Sequence, residues 1–336
     1  MTGPARKREI GRGERVVPGV YRLRLPLPWP GVPHCNAWAV AAGDGVVLFD
    51  TGMHEPGSFA HLERALAQVN LRVENIKLVV CTHAHSDHYG QAATIVERTG
   101  CQLWMHPNHE HMTRAAQDPE AAFERRLEVA RQSGVPAAPL EAYAAARRGM
   151  GYGIAGIVEP NRDLLPGVEI HTDLGTWGVI ETPGHAPSHV CLFQPEKRIL
   201  ISGDHLLGRV SLYYDYGYSE DPVGEFLRSL EAVEDVDARL ALSGHGRTFT
   251  DIGGHITANR LLVAERLAAC VATLRDHGPL TAYDAVPHVF GAAITAENAN
   301  WWLSETLCYL RHLEVTGRAQ RDEPADAGDV ERWRPA

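Results

Sequence analysis

Short, fully apolar runs of strand length alternate along the chain with amphipathic stretches of helix length. Residues 46–49 are a β-branched apolar run closed by Asp50-Thr51-Gly52, and 58–69 has helical periodicity through Phe59, Leu62, Leu66 and Val69. A second buried strand at 76–81, a short helix over 91–98 and a third strand at 102–105 continue this βα rhythm. From about 107 to 166 the text becomes Ala-rich and charged, with helices over 120–132 and 140–148 interrupted by prolines, and reads as an insertion. Strands return at 168–171, 177–181, 190–193 and 199–201, followed by a helix over 222–233 and a strand at 239–242. After Gly253-Gly254 the pattern predicts helices over 256–275, 282–289 and 296–315, with a short strand at 318–320. The expected organisation is an α/β body over 16–253, a small helical module over 254–320, and loose tails at 1–15 and 321–336.

Composition narrows the setting. The 336 residues carry a formal charge of −10, which weighs against a phosphate-backbone partner. No run approaches the roughly 18 apolar residues of a membrane helix. Arg6, Lys7, Arg8, Arg12 and Arg15 are followed by Val16-Val17-Pro18-Gly19 instead of an apolar signal core, so secretion is not expected. The six cysteines are scattered without a Cys-x-x-Cys pair, which fits a reducing cytoplasm.

The chemistry concentrates where strands end. His83, His85, Asp87 and His88 follow the strand at 76–81, and four potential ligands in six positions are costly to gather without a cation. Gly184-His185, Gly203-Asp204 and Gly244-His245 each follow a later strand, the glycine letting the backbone approach a crowded site. Imidazole and carboxylate donors suit a borderline divalent ion such as zinc. His106, His109 and His111 form a second histidine group that reads as a solvated loop. His189 reads as structural, and His205 could face either the pocket or the core. Asp50 has two readings, a partner for a metal-bound imidazole or a turn former before Thr51-Gly52.

In order and strand context, the string His83-x-His85-x-Asp87-His88 followed by His185, Asp204 and His245 resembles the metallo-β-lactamase-fold hydrolase superfamily over about 16–250, with Asp50 matching an early strand-end Asp. The resemblance implies an αββα sandwich with two metals at one edge. His83, His85 and His185 would hold one ion, Asp87, His88 and His245 the other, and Asp204 would bridge them. Five neutral imidazoles and two carboxylates leave two divalent cations still net positive, favouring a bridging hydroxide and hence hydrolysis, with Asp87 and Asp204 as the catalytic carboxylates. Zinc is the expected metal, with iron and manganese as alternatives.

The module at 254–320 is similar to the small winged-helix-type unit appended to one branch of that superfamily. Its segment 257–318 holds five arginines against six carboxylates, so no basic recognition helix is evident. It reads instead as a pocket wall or a homodimer contact, with Trp301 and Trp302 suited to either role. Within that branch the resemblance implies hydrolysis of a small-molecule ester, thioester or lactone, or RNA cleavage. The sequence His205-Leu206-Leu207-Gly208 after Asp204 lacks the early Tyr expected of quorum-quenching lactonases, and His85 stands where diiron oxygen reductases use a carboxylate. No basic C-terminal glutathione-binding signature of a glyoxalase II is apparent. Tyr213 and Tyr214, in a Tyr-rich segment after Asp204, either line the substrate pocket or pack as an aromatic wall. The expectation is a dinuclear hydrolase of a carboxylic ester or thioester. A phosphodiesterase acting on RNA and a metal-containing binding protein without turnover are the alternatives.

Overall fold

The computed structural model of the chain describes residues 10–29, 31–322 and 329–336. It opens with a meander, β1 (Arg12–Val17), β2 (Val20–Trp29) and β3 (Val32–Ala42), that turns into β4 (Gly45–Phe49). The apolar pattern predicts only β4. Pro26 and Pro28 interrupt β2, and β3 buries His34 and Asn36, so neither reads as a continuous apolar run. Helix α1 (Ser58–Ala67) leads to β5 (Ile76–Val80), followed by the one-turn α2 (Ser86–Tyr89), α3 (Ala92–Thr99) and β6 (Gln102–Met105). The expected insertion holds α4 (Glu110–Gln117), α5 (Pro119–Gln132) and α6 (Ala137–Arg147) before a two-residue edge strand, β7 (Arg162–Asp163). These seven strands lie in sequence order in one sheet, antiparallel as far as β4 and parallel from there on.

The second sheet comprises β8 (Glu169–Thr172), β9 (Gly175–Glu181), β10 (Val190–Gln194), β11 (Ile199–Gly203) and, after α7 (Pro222–Glu234), β12 (Leu240–Ser243). Because β10 is antiparallel to both β9 and β11, and β12 is parallel to β11, the strands β9, β11 and β12 all run the same way. Their carboxyl ends therefore share one edge. Helix α7 starts where Asp221 Oδ1 accepts from the Gly224 N–H at 2.9 Å, with Pro222 in the first turn.

Three hydrophobic layers hold the body together. Between the sheets, Trp38, Val47, Phe49 and Val80 meet Trp177, Val190, Leu192 and Ile201, with Phe49 and Trp177 rings 5.6 Å apart. Each such fully buried large side chain contributes about 1.5–3 kcal/mol. On one outer face Leu62 and Leu66 of α1 and Ile95 of α3 cover Leu23, Leu48 and Val79. On the other, Phe226 and Leu230 of α7 cover Cys191 and Leu200, and the same core runs on into α8 (Ile252–His277), α9 (Ala282–Phe290) and α10 (Ala299–Val315). The sandwich is thus helix, sheet, sheet, helix. No helix among the described residues is long and apolar enough to cross a membrane.

Both expected tails need correction. Arg12 to Arg15 pair with β2, so the first strand begins inside the segment read as loose. At the other end β13 (Ala319–Asp322) pairs with β14 (Arg332–Pro335), and Trp333 is 1% exposed, exchanging backbone hydrogen bonds with Leu280. Burial of that indole, not the acidic text around it, decides the conformation there. Residues 1–9 and 323–328 lie outside the described residues.

Candidate active site

The carboxyl ends of β4, β5, β9, β11 and β12 meet at one edge of the sandwich, and each delivers chemistry. β4 ends in Asp50, β5 runs into the segment from Thr82 to His88, and His185, Asp204 and His245 follow the other three. The structure brings all seven sequence-predicted ligand candidates together, in two sets joined by Asp204.

In the first set, His83 Nε2 and His185 Nε2 each lie 3.0 Å from His85 Nδ1. The far nitrogen of every ring is engaged. His83 Nδ1 lies 3.0 Å from Thr82 Oγ1, His85 Nε2 lies 2.7 Å from Asp215 Oδ2, and His185 Nδ1 donates to the Tyr213 carbonyl at 3.1 Å. With those protons placed outward, the three inner nitrogens present lone pairs to one point. In the second set, Asp87 Oδ2 is 3.2 Å from His245 Nε2 and 3.5 Å from His88 Nε2. His88 Nδ1 donates to Asp50 Oδ2 at 2.8 Å, and His245 Nδ1 donates to the His34 carbonyl at 2.9 Å. Asp204 reaches both sets, its Oδ1 3.4 Å from His88 Nε2 and its Oδ2 3.1 Å from His245 Nε2 and 3.7 Å from His185 Nε2.

These residues fit divalent cations. His88 Nε2 and Asp204 Oδ1 are buried and have no hydrogen-bond partner, an arrangement that costs about 1–3 kcal/mol for each polar atom left so. Both face the shared space between the two sets. Side chains of His85 and His245 are 12% and 15% exposed, more than their neighbours, so the cluster opens to solvent between them. Burial lowers His185 to about 4 and, with the adjacent imidazoles, holds His83 well below its ordinary value. Both rings are therefore neutral at pH 7 and can bind a cation without displacing a proton. Burial acts the same way on His88 and His245, but the carboxylates outweigh it, led by Asp204, and raise His245 to about 10. Reciprocally, burial would raise Asp87 and Asp204, yet His88 and His245 keep both carboxyls below the usual carboxylate range.

Glycine is required at two of these exits. A Cβ on Gly244 would stand 2.1 Å from Asp204 Oδ1, and one on Gly203, whose φ is +47°, would meet His189 Nε2 at 2.6 Å. His189 accepts from the Asp204 backbone N–H at 3.0 Å and bonds Thr182 Oγ1 at 2.8 Å, so this structural histidine holds the Asp204 backbone. Asp50 is at once a turn residue and the partner of an imidazole. Its φ is +61°, as a turn residue requires, and its carboxylate also accepts from the Thr82 backbone N–H at 2.8 Å while holding His88.

Several expectations change. Tyr214 does not line the site; it is fully buried against Phe226 and Tyr309 because its position faces the α7 core. Tyr213 does face the cluster, its ring 5.7 Å from that of His185 and 6.0 Å from that of His85. His106, His109 and His111 are buried instead of solvated; His106 bonds Glu181 of β9, while His109 and His111 bond locally to Thr113 and the Asn108 carbonyl. His205 faces the core, edge-on to Phe226 at 5.0 Å, where burial lowers it to about 3. Trp302 stacks on Phe290 at 4.5 Å inside the C-terminal helices. A cavity of about 630 Å³ lined in part by His106, Glu181, His189 and Arg228 lies beside the cluster, and none of the seven candidates lines it.

Sequence reasoning missed Asp215, the partner of His85, although it sits inside the Tyr-rich segment; a carboxylate spaced among phenols after Asp204 was the available signal. It also missed how β3 holds the last loop. The Asn36 backbone N–H donates to the Gly244 carbonyl at 2.7 Å, and Asn36 Nδ2 and Trp38 Nε1 donate to the Ser243 carbonyl at 2.9 and 3.2 Å.

The family model described as Metallo-beta-lactamase superfamily matches residues 30–245. A probable metallo-hydrolase of Bacillus subtilis strain 168, YqjP, is 27% identical over 308 residues, covering 88% of this chain and 92% of its own length. An atrochrysone carboxyl ACP thioesterase of Aspergillus chevalieri is 22% identical, covering 83% of this chain and 75% of its own. Among solved structures, a metallo-beta-lactamase family protein from Thermus thermophilus superposes with a TM-score of 0.81 at 27% identity, covering 96% of this chain and 100% of the other.

Proposed function

The chain belongs to the metallo-beta-lactamase superfamily and is a metal-dependent hydrolase, and from that premise we propose that it cleaves a carboxylic thioester or ester at a dinuclear centre. His83, His85 and His185 would hold one ion and Asp87, His88 and His245 the other, with Asp204 shared. The observation that carries this reading is Asp204, whose two oxygens face His88 on one side and His185 and His245 on the other. Five imidazoles with two carboxylates favour zinc among divalent ions. A pair of such ions supplies a water that is nucleophilic at neutral pH and positive charge for a developing oxyanion.

The chain's own part is orientation and proton handling. Asp50, Asp215 and the carbonyls of His34 and Tyr213 fix four imidazoles in the tautomers that turn a lone pair inward. Asp87, ionised beside His88 and His245, is the acceptor for the proton of the attacking water. Tyr213 supplies an aromatic wall next to His85 and His185 against which an acyl group rests. The thioesterase relative supports an acyl substrate, and the formal charge of −10 disfavours RNA. The six cysteines are free thiols, five of them buried, which supports a reducing compartment.

The test uses zinc-loaded protein with butyryl-N-acetylcysteamine, 4-nitrophenyl butyrate and a single-stranded RNA. Acyl hydrolysis that disappears on chelation and falls at least about 100-fold in His83→Ala is expected. RNA cleavage without acyl hydrolysis would overturn the proposal, and two bound zinc ions with turnover of none of the three would favour a binding protein.

A further inference from the structure

The insertion helices place arginines around the mouth of the site, and not all of them are neutralised. Arg114, Arg131 and Arg148 pair with Glu110, Glu128, and Glu120 with Glu124, respectively. Among the described residues, Arg125, Arg126 and Arg147 form no ion pair with a carboxylate, and all three are exposed. Arg126 on α5 instead sits among phenols. Its guanidinium carbon is 5.8 Å from the centre of the Tyr152 ring, and that of Arg147 lies 6.0 Å from the Tyr143 ring.

Two routes tie this group to the ligand cluster. Tyr152 precedes Gly153, whose carbonyl accepts from the His54 N–H at 2.8 Å and where a Cβ would lie 3.2 Å from that of Ser86, the residue before Asp87. The charge of Arg126 also acts on Tyr213 and Tyr218. Tyr213 stands over His85 and His185, and the half-exposed Tyr218 lies 5.5 Å from His111. Arg126 therefore lies on the lip of the opening beside the first imidazole set. Asp215, on that side, is engaged by His85.

An exposed guanidinium without a carboxylate, set beside a phenol ring, offers a planar fork of donors matched to a carboxylate or a phosphate. In a chain of net charge −10, keeping three such cations at one mouth selects for an oppositely charged visitor. We propose that Arg126, flanked by Arg125 and Arg147, is the anion-recognition element of this site, and that the substrate carries a carboxylate or phosphate group held there while its acyl bond lies over the ligand cluster. The word acyl rests on the function proposed above; the anion does not.

Calorimetric binding to the full-length protein, zinc-loaded and chelated, tests it with four non-hydrolysable amides. N-phenylsuccinamate puts a carboxylate on the acyl side, 4-butyramidobenzoate puts one on the leaving side, 4-butyramidophenyl phosphate puts a phosphate there, and N-phenylbutyramide is neutral. At least one anionic ligand should bind wild type about tenfold more tightly than the neutral amide. That preference should vanish in Arg126→Ala, persist in part in Arg126→Lys, and shrink in high salt. The ligand that shows it identifies the anion and its side. No preference for any anion, a preference that survives Arg126→Ala, or equal weakening of neutral and anionic ligands would overturn the proposal; equal weakening would mark Arg126 as packing. Failure of wild type to hydrolyse 4-nitrophenyl butyrate while the preference stands would count against acyl hydrolysis alone.

Discussion

Asp50 Oδ2 lies 2.8 Å from His88 Nδ1 with both side chains buried, and Asp50 Oδ1 takes the backbone N–H of Thr82 at the same distance. One carboxylate at the end of β4 thereby fixes both the start of the histidine segment and the tautomer of its last member. In its neutral form His88 then turns the Nε2 lone pair toward Asp87 and Asp204.

Asp50→Asn should break that assignment with little change in the turn, since asparagine also tolerates a positive φ. An amide N–H₂ facing Nδ1 drives the ring proton to Nε2 and closes the inward position. Zinc affinity of the second set should fall about 10–100-fold, read by competition against a chromogenic chelator. Two equally tight zinc ions in the variant would contradict the role given to this pair.

Asp215 and Tyr214 are neighbours with opposite expectations. Asp215→Ala leaves the His85 Nε2–H without its acceptor, so kcat/KM and first-site affinity should drop about 10–100-fold. Tyr214→Phe keeps a ring in the α7 core and should leave kcat/KM within about twofold. The reverse order of effects would return Tyr214 to the substrate pocket.

Gly244→Ala introduces a methyl 2.1 Å from Asp204 Oδ1 and 2.7 Å from His88 Cε1. Asp204 must move, so bound metal and activity should be lost together, at a stability cost of about 1–3 kcal/mol for overpacking. Metal analysis and urea unfolding on one preparation separate these effects, and full zinc occupancy would show that the loop yields instead.

Glu305 on α10 is buried and accepts a hydrogen bond from the Tyr309 hydroxyl at 3.0 Å; burial pushes its carboxyl up to about 8, against 4.5 ordinarily. Between those values the folded protein keeps a proton that the unfolded chain has released. Stability attributable to this group is therefore complete below pH 4.5 and declines as pH rises toward 8. Glu305→Gln cannot ionise, so the gap in unfolding free energy between variant and wild type should move in the variant's favour by about 2–4 kcal/mol from about pH 4.5 to about pH 8.5, measured by denaturant melts. Parallel pH profiles would rule this out.

The ligand cluster was legible because every member follows a buried apolar strand, and a glycine immediately before a His or Asp marks a crowded exit even when its partners are far along the chain. The β1 to β3 meander was not, since prolines in β2 and buried polar residues in β3 break the run that announces a strand. Asn36 is polar inside because its side chain satisfies the 243–246 loop, where the His34 backbone carbonyl also accepts from His245, a partnership visible only once the two sheets are stacked. Among the nearby histidines, burial of His106 was illegible for the related reason that its partner, Glu181, comes from another sheet. Asp215 was passed over because its neighbours are aromatic, and its meaning depends on the distance to His85.

His83, His85, Asp87 and His88 hang from one sheet and His185, Asp204 and His245 from the other, so any ion gripped among them is a rivet through the seam of the sandwich. The free energy of its capture is then shared with the joining of the two halves. Resistance to unfolding should climb with the logarithm of free zinc once the dissociation constant is passed, and a chelator should first loosen the interface where Phe49 meets Trp177.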